Sequence, residues 1–225
     1  SSYQNITAEN HIAKISDFII SLLGWLMIGH FGFVAVRSYF SGTPEDIFWI
    51  SHVGTLLGGI ATLLRNRSLA SLALVSIAGH HLFWLVDTAG WWLSGQFPFG
   101  TTTYLKEADW ADWLQSANHF FSVPFLLWIV YRLGGVRPYS WIWSTAMFGL
   151  LSCISFFFLP AAANVNSAHD LWPGLDQTAL SILEKWPWGF YWVALAVLNG
   201  LGNYLPTNLV LLGIYAVITR KAGKR

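Results

Sequence analysis

The sequence predicts an all-α fold, a polytopic membrane helix bundle with six transmembrane helices and both termini cytoplasmic. Three observations carry this. Of 225 residues, 55% are hydrophobic and only 10% charged, where a soluble domain carries about 25% charged residues. Fourteen are Trp, a residue that concentrates at bilayer interfaces. And the chain divides into six apolar stretches close to the roughly 20 residues a spanning helix needs. Mean hydropathy is +0.50. The whole chain, 1–225, reads as one transmembrane domain.

The first stretch, Ile15–Tyr39, ends at the turn Ser41-Gly42-Thr43-Pro44, whose Gly and Pro punctuate helices. The second runs Asp46–Leu64 to a tight charged hairpin, Arg65-Asn66-Arg67-Ser68, in which Ser68 is the expected N-cap of the third, Ser68–Leu93. After a polar, aromatic and acidic connection, 94–112, comes Trp113–Leu133, then the short link Gly134–Pro138 and the fifth stretch, Ser140–Ala161. A second long connection, 162–187, leads to Trp188–Thr219. This last stretch is too long for a simple crossing. Pro206 is expected to kink it, with Asn199, Asn203 and Asn208 around the kink acting as interhelical contacts. Residues 1–14 hold no short apolar run with a cleavage site, so no signal peptide is expected there.

Orientation follows from the basic residues. Lys14, Arg65, Arg67, Arg132, Arg137, Arg220, Lys221, Lys224 and Arg225 fall on one side, and only Arg37, Lys106 and Lys185 on the other. By the positive-inside rule the first side is cytoplasmic. The net charge of +1 gives no footprint for nucleic acid, and the single Cys153 excludes an intramolecular disulfide or a CxxC metal site.

Depth counting then collects the histidines. His30, His52, His80, His81, His119 and His169 all fall at mid-membrane or toward the outer side, and His11 alone does not. Ionisable groups in a span are costly and usually mark function. His80, Trp84, Asp87 and Trp91 follow i, i+4, i+7, i+11 and share one helix face. His81 points about 100° away, so one of the adjacent pair is expected to pack rather than serve the same centre.

Two chemistries fit such a layer. One is a metal or haem site, with His30, His52, His80, His119, His169 and Asp170 as the N/O ligand set. HxxxH and HExxH spacings are absent, which removes the recognisable versions. The other is nucleophilic catalysis, which needs a hydroxyl beside an oriented base. Ser51 lies at nearly the depth of His119, with Thr55 one turn deeper, and Asp87, Asn118, Asn164 or Asp170 could orient an imidazole.

The order of features resembles the YwaF-type bacterial membrane proteins and, more distantly, the androgen-induced type of fatty-acid-ester hydrolases. The resembling stretches are Trp49–His52 through Leu63-Leu64-Arg65-Asn66-Arg67, and Ser116-Ala117-Asn118-His119 with Val123-Pro124-Phe125. Gly135-Val136-Arg137-Pro138 with Trp141, the Asn164/Asn166 segment, and Lys185–Trp188 complete them. The pattern spans more than half of the chain. It implies a six-helix fold with acyl-ester chemistry in its outer half, the family His falling on His119 and the family Cys-Asp pair on Ser51-His52. The Thr of the hydrolase branch falls near Phe48, where there is no hydroxyl.

The sequence therefore points to a lipid acyl-ester hydrolase or acyltransferase that needs no cofactor. His119, Ser51, His52 and Asp87 are its catalytic candidates, and His80, Trp84, Asn118, Asn164 and Asn166 would contact substrate. The alternatives are a membrane subunit, redox or structural, binding a transition metal or haem through the same layer, and a small-molecule transporter or complex subunit. Membrane lipids are the expected partners, with a homo-oligomer or a larger membrane complex as further options, in a bacterial plasma membrane.

Overall fold

A computed structural model describes residues 2–171, 181, 182, 185 and 187–222 of the chain, with side chains from residue 16 onward except at 188, 189, 221 and 222. Every regular element among these residues is helical. The long helices are α1 (Ser2–Ser41), α2 (Ile50–Leu63), α3 (Arg67–Ser94), α5 (Asn118–Arg132), α6 (Ser140–Phe158), α7 (Trp188–Asn199) and α8 (Leu205–Ala222), with a short α4 (Trp110–Ser116) before α5. Four segments are long and apolar enough to cross a membrane: Ser16–Ser41, Arg67–Ser94, Ser140–Phe158 and Phe190–Arg220. Their outward faces carry large exposed apolar side chains such as Trp25, Leu82, Trp143 and Leu209, the make-up of a membrane protein.

The second and fourth expected spans differ from the sequence reading. Asp46–Leu64 is not one helix. Pro44–Phe48 form a separate 3-10 turn, the chain is extended at Trp49 (φ −57°, ψ 135°), and α2 starts only at Ile50. Its 14 residues reach about 21 Å. Trp113–Leu133 is divided at Ala117, where the bonds tighten to i→i−3: Ala117 N donates to Leu114 O and Phe120 N to Ala117 O. Ser68 is not the N-cap of α3; Asn66 is, its side chain accepting from Leu69 N at 3.0 Å. The kink expected at Pro206 is a π-turn one step earlier, Gly200–Tyr204. Much of the second long connection, including Trp186, lies outside the described residues.

α2 packs against α1, α3 and α5. Nine of its 14 residues are buried. Glycines allow this. A Cβ on Gly59 would stand 2.8 Å from the Gly24 carbonyl of α1, and one on Gly58 would press on Leu126 of α5 at 3.0 Å. Small residues that let helices approach are the usual device of membrane bundles, where burial from water gives no drive between helices.

The two ends of the bundle are unlike. At the end carrying the 65–67 and 134–138 links, arginines bond to carbonyls: Arg67 Nε donates to Gly135 O at 2.6 Å, and Arg65 to Thr62 O and Asp17 O at 3.0 and 2.9 Å. Arg132 reaches Ser16 Oγ at 2.8 Å. The opposite end carries the long connections, and Asn166 locks it. In a left-handed conformation (φ 56°) that Asn tolerates, it accepts from Ile50 N at 2.8 Å and donates to Phe48 O at 2.9 Å, holding the break before α2. Asn208 plays the matching part in α8, accepting from Trp141 N at 3.1 Å and donating to Pro138 O at 3.3 Å.

Candidate functional site

A cavity of about 380 Å³ opens at the end with the long connections. Five parts of the chain build it. The break before α2 contributes Asp46 and Trp49, and the first turn of α2 contributes Ser51 and His52. α3 adds His80, Phe83 and Trp84, the 95–109 connection adds Thr101 and Tyr104, and α4–α5 add Asp112, Ser116 and His119. Ser51, His52, His80, Trp84 and His119, all named from the sequence, are thus brought together. Asp46, Tyr104 and Asp112 were not.

His119 is the most sharply defined of these. Its Nδ1 lies 2.9 Å from Ser116 O, the carbonyl freed by the local i→i−3 turn. A carbonyl only accepts, so Nδ1 carries the proton and Nε2 keeps the lone pair. The ring is sandwiched between Trp84, stacked at 4.5 Å and 18°, and His81 at 4.4 Å. Trp84 is itself fixed, because its indole N–H donates to Tyr104 Oη at 2.9 Å, and Tyr104 Oη meets Ser116 Oγ at 3.0 Å. Loss of water around the Tyr104 hydroxyl pushes its pKa up, against the opposing bonds from Ser116 and Trp84.

His52 is only 5% exposed. Its Nδ1 is sealed without a hydrogen-bond partner. A sealed N–H is costlier to leave unpaired than a sealed lone pair, so the proton belongs on Nε2, and the residue as a whole lines the cavity. The site then offers an acceptor on His119 and a donor on His52. Ser51 lines the same wall, and Asn118 Nδ2 holds its carbonyl at 3.1 Å and Thr55 Oγ1 at 3.3 Å. Among the described residues no hydrogen bond joins the Ser51 hydroxyl to an imidazole.

Behind the cavity lies a sealed polar layer. His30 Nε2 donates to Leu114 O at 3.1 Å, leaving Nδ1 buried and unpartnered, and its ring stands 6.3 Å from that of His52. His81 is fully buried with neither nitrogen partnered, and Asn118 Oδ1 is in the same position. His80 turns the other way, to Tyr204 Oη of the π-turn at 3.0 Å. His80 lines the cavity, while His81 packs against the His119 ring.

Asp87 does not orient an imidazole, in contrast to the sequence expectation. Its carboxylate accepts from Phe99 N (2.6 Å), Gly100 N (3.2 Å), Thr102 N (2.8 Å) and the hydroxyls of Thr101 and Thr102 (3.0 and 2.9 Å). All its acceptor capacity is spent folding the 95–102 connection over the cavity. The Ser116 carbonyl, a group that side-chain patterns do not reveal, orients His119 instead. Asn164 is likewise structural, donating to Asp170 O and accepting from the backbone N–H of His169 and Asp170.

The ligand set written for a metal is not assembled. His169 stacks on Phe156 at 4.9 Å and Asp170 is exposed, both in the 161–171 segment and neither lining the cavity. Among the described residues no group of three or more His, Cys, Asp or Glu side chains has the geometry to hold a metal ion.

At the rim, Arg37 forms an ion pair with Asp112 and another with Asp109 at 3.7 Å. Asp109 caps α4 in a reciprocal box with Asp112. The N–H bonds from Asp112 and Ala111, with the Arg37 charge, hold the Asp109 carboxyl below its usual range.

No protein-family model, curated protein or solved structure matches the chain.

Proposed function

We propose that the protein is a lipid acyl-ester hydrolase or acyltransferase that crosses the membrane six times, α2 and α4–α5 completing the four long segments. Both termini are cytoplasmic, as the basic end of the bundle requires, and the short links suit a bacterial plasma membrane. The cavity then opens toward the outer leaflet, near the depth of phospholipid ester bonds.

One observation supports the chemistry best. Ser51 and His119 line the same cavity, and the bond from His119 to Ser116 O leaves Nε2 as a base. In this reading Ser51 Oγ attacks the ester carbonyl as its proton passes to His119 Nε2. The His52 N–H stabilises the oxyanion. The alcohol then leaves with the proton from His119, and water or a second alcohol takes the acyl group from Ser51 by the reverse sequence. Aspartate has no place in it; the Ser116 carbonyl does the orienting.

The test is release of fatty acid, or its transfer to a lysolipid, by protein in lipid nanodiscs. Ser51→Ala and His119→Ala should each lower turnover by about a thousandfold with an unchanged melting temperature. Turnover that persists in both variants contradicts the proposal.

A further inference from the structure

The cavity's mouth differs in chemistry from its floor. Trp49, Phe83, Trp84 and Tyr104 wall it with aromatic rings, and two carboxylates, Asp46 and Asp112, stand among them. Among the described residues no Lys or Arg lines it. The two carboxylates are not equivalent. Asp112 is neutralised from behind by Arg37. Asp46 has no ion-pair partner among the described residues; it is held by Thr43 Oγ1 at 2.7 Å and by the Trp49 indole N–H at 3.4 Å. The mouth therefore presents one uncompensated negative charge inside an aromatic enclosure. Deeper in, His52 lines the cavity while only 5% exposed, its Nδ1 buried without a hydrogen-bond partner.

We infer that this mouth binds an ammonium or quaternary ammonium group carried by a molecule whose oxygen atoms reach the His52–His119 floor. Aromatic faces attract cations through their quadrupoles, and recognition of quaternary ammonium by such rings is a general mode. A carboxylate within the enclosure adds Coulomb attraction that water does not fully screen. An anionic head group would meet Asp46 and find no cation. The inference rests on the acyl-ester reading only for what the ammonium is attached to. The chemistry of the mouth is the same for a choline-type lipid head group and for a free choline-type solute.

Binding of tritiated choline to the full-length protein in maltoside, by scintillation proximity, tests this without turnover. Choline should bind saturably, and dimethylbutanol, its neutral carbon isostere, should compete at least tenfold more weakly. Asp46→Asn should weaken choline binding about tenfold or more, whereas Glu107→Gln, which removes an exposed carboxylate outside the cavity, should leave it unchanged. Absence of saturable binding, or equal competition by the isostere, overturns the inference, and that comparison stands on the wild-type protein whether or not Asp46→Asn folds. Nanodiscs then separate the sources. Weaker choline binding in phosphatidylcholine than in phosphatidylglycerol discs identifies a lipid head group as the occupant, and equal binding in both identifies the free solute. Choline binding without ester turnover removes the hydrolase reading alone; turnover without choline binding removes this inference alone.

Discussion

The two ends of the bundle handle polar groups in opposite ways. At the basic end, arginines are matched to carbonyls and hydroxyls: Arg67 to Gly135 O and Val136 O, Arg65 to Thr62 O, Arg132 to Ser16 Oγ. Cations that cap the carbonyl ends of helices also suit the helix dipole. At the other end, His30 Nδ1, His52 Nδ1, both nitrogens of His81 and Asn118 Oδ1 are buried and unmatched. Buried polar groups are costly when unpaired. A fold that satisfies one end and leaves the other wanting separates stability from function. The first end holds the helices together through matched groups, and the second carries the cavity and the unmatched histidines.

Substitutions that mix the two roles should give the largest effects. Asp87 is a matched group at the unmatched end. Asp87→Ala strips partners from three backbone N–H groups and two threonines, and is expected to cost about 3 kcal/mol, read as a lowered melting temperature in detergent. A neutral result would show that the 95–102 connection is not held as described. Gly59→Leu tests the contact on which both ends depend. Its side chain must displace the Gly24 backbone, so a loss of about 1–3 kcal/mol is expected, and an unchanged melting curve would show that α1 and α2 do not meet there.

Much of this contrast was legible in the sequence. Hydropathy gave the helical membrane class, and counting depth along each stretch put His52 and His119 toward the outer end with His80 near mid-membrane, because helical rise is regular. What it could not give lies where rise and periodicity stop. The break at Trp49 shortens α2 and swings Asp46 into the cavity wall. Tyr104 reaches Trp84 and Ser116 from an irregular connection. Asp87 looked like a partner for histidine because its helical face is shared with His80, yet its partners are backbone amides of that connection, which carry no side-chain signature. The aromatic and acidic richness of 94–112 is the one signal in the sequence for the part this connection plays in the cavity.

Smaller effects sharpen the comparison. Arg67→Ala at the matched end should lose about 1–2 kcal/mol through its two carbonyl bonds while leaving ester turnover intact; a loss of turnover would tie that end to the chemistry. The smallest effect should come at the rim. Since the folded state holds Asp109 below its usual carboxyl range, its contribution is complete above that ordinary value and disappears as pH falls through the folded-state value. Asp109→Asn should therefore lower the melting temperature slightly at pH 7 and leave it unchanged near pH 2. An equal decrease at both would remove charge from the explanation of the α4 cap.

The measurement closest to the central claim is intact-mass analysis after a fluorophosphonate probe, applied to wild type and to His119→Ala of matched melting temperature. The account predicts a single adduct on Ser51 in the wild type and none in His119→Ala. A wild-type protein that takes no adduct, or a His119→Ala variant that labels as fast as wild type, contradicts it.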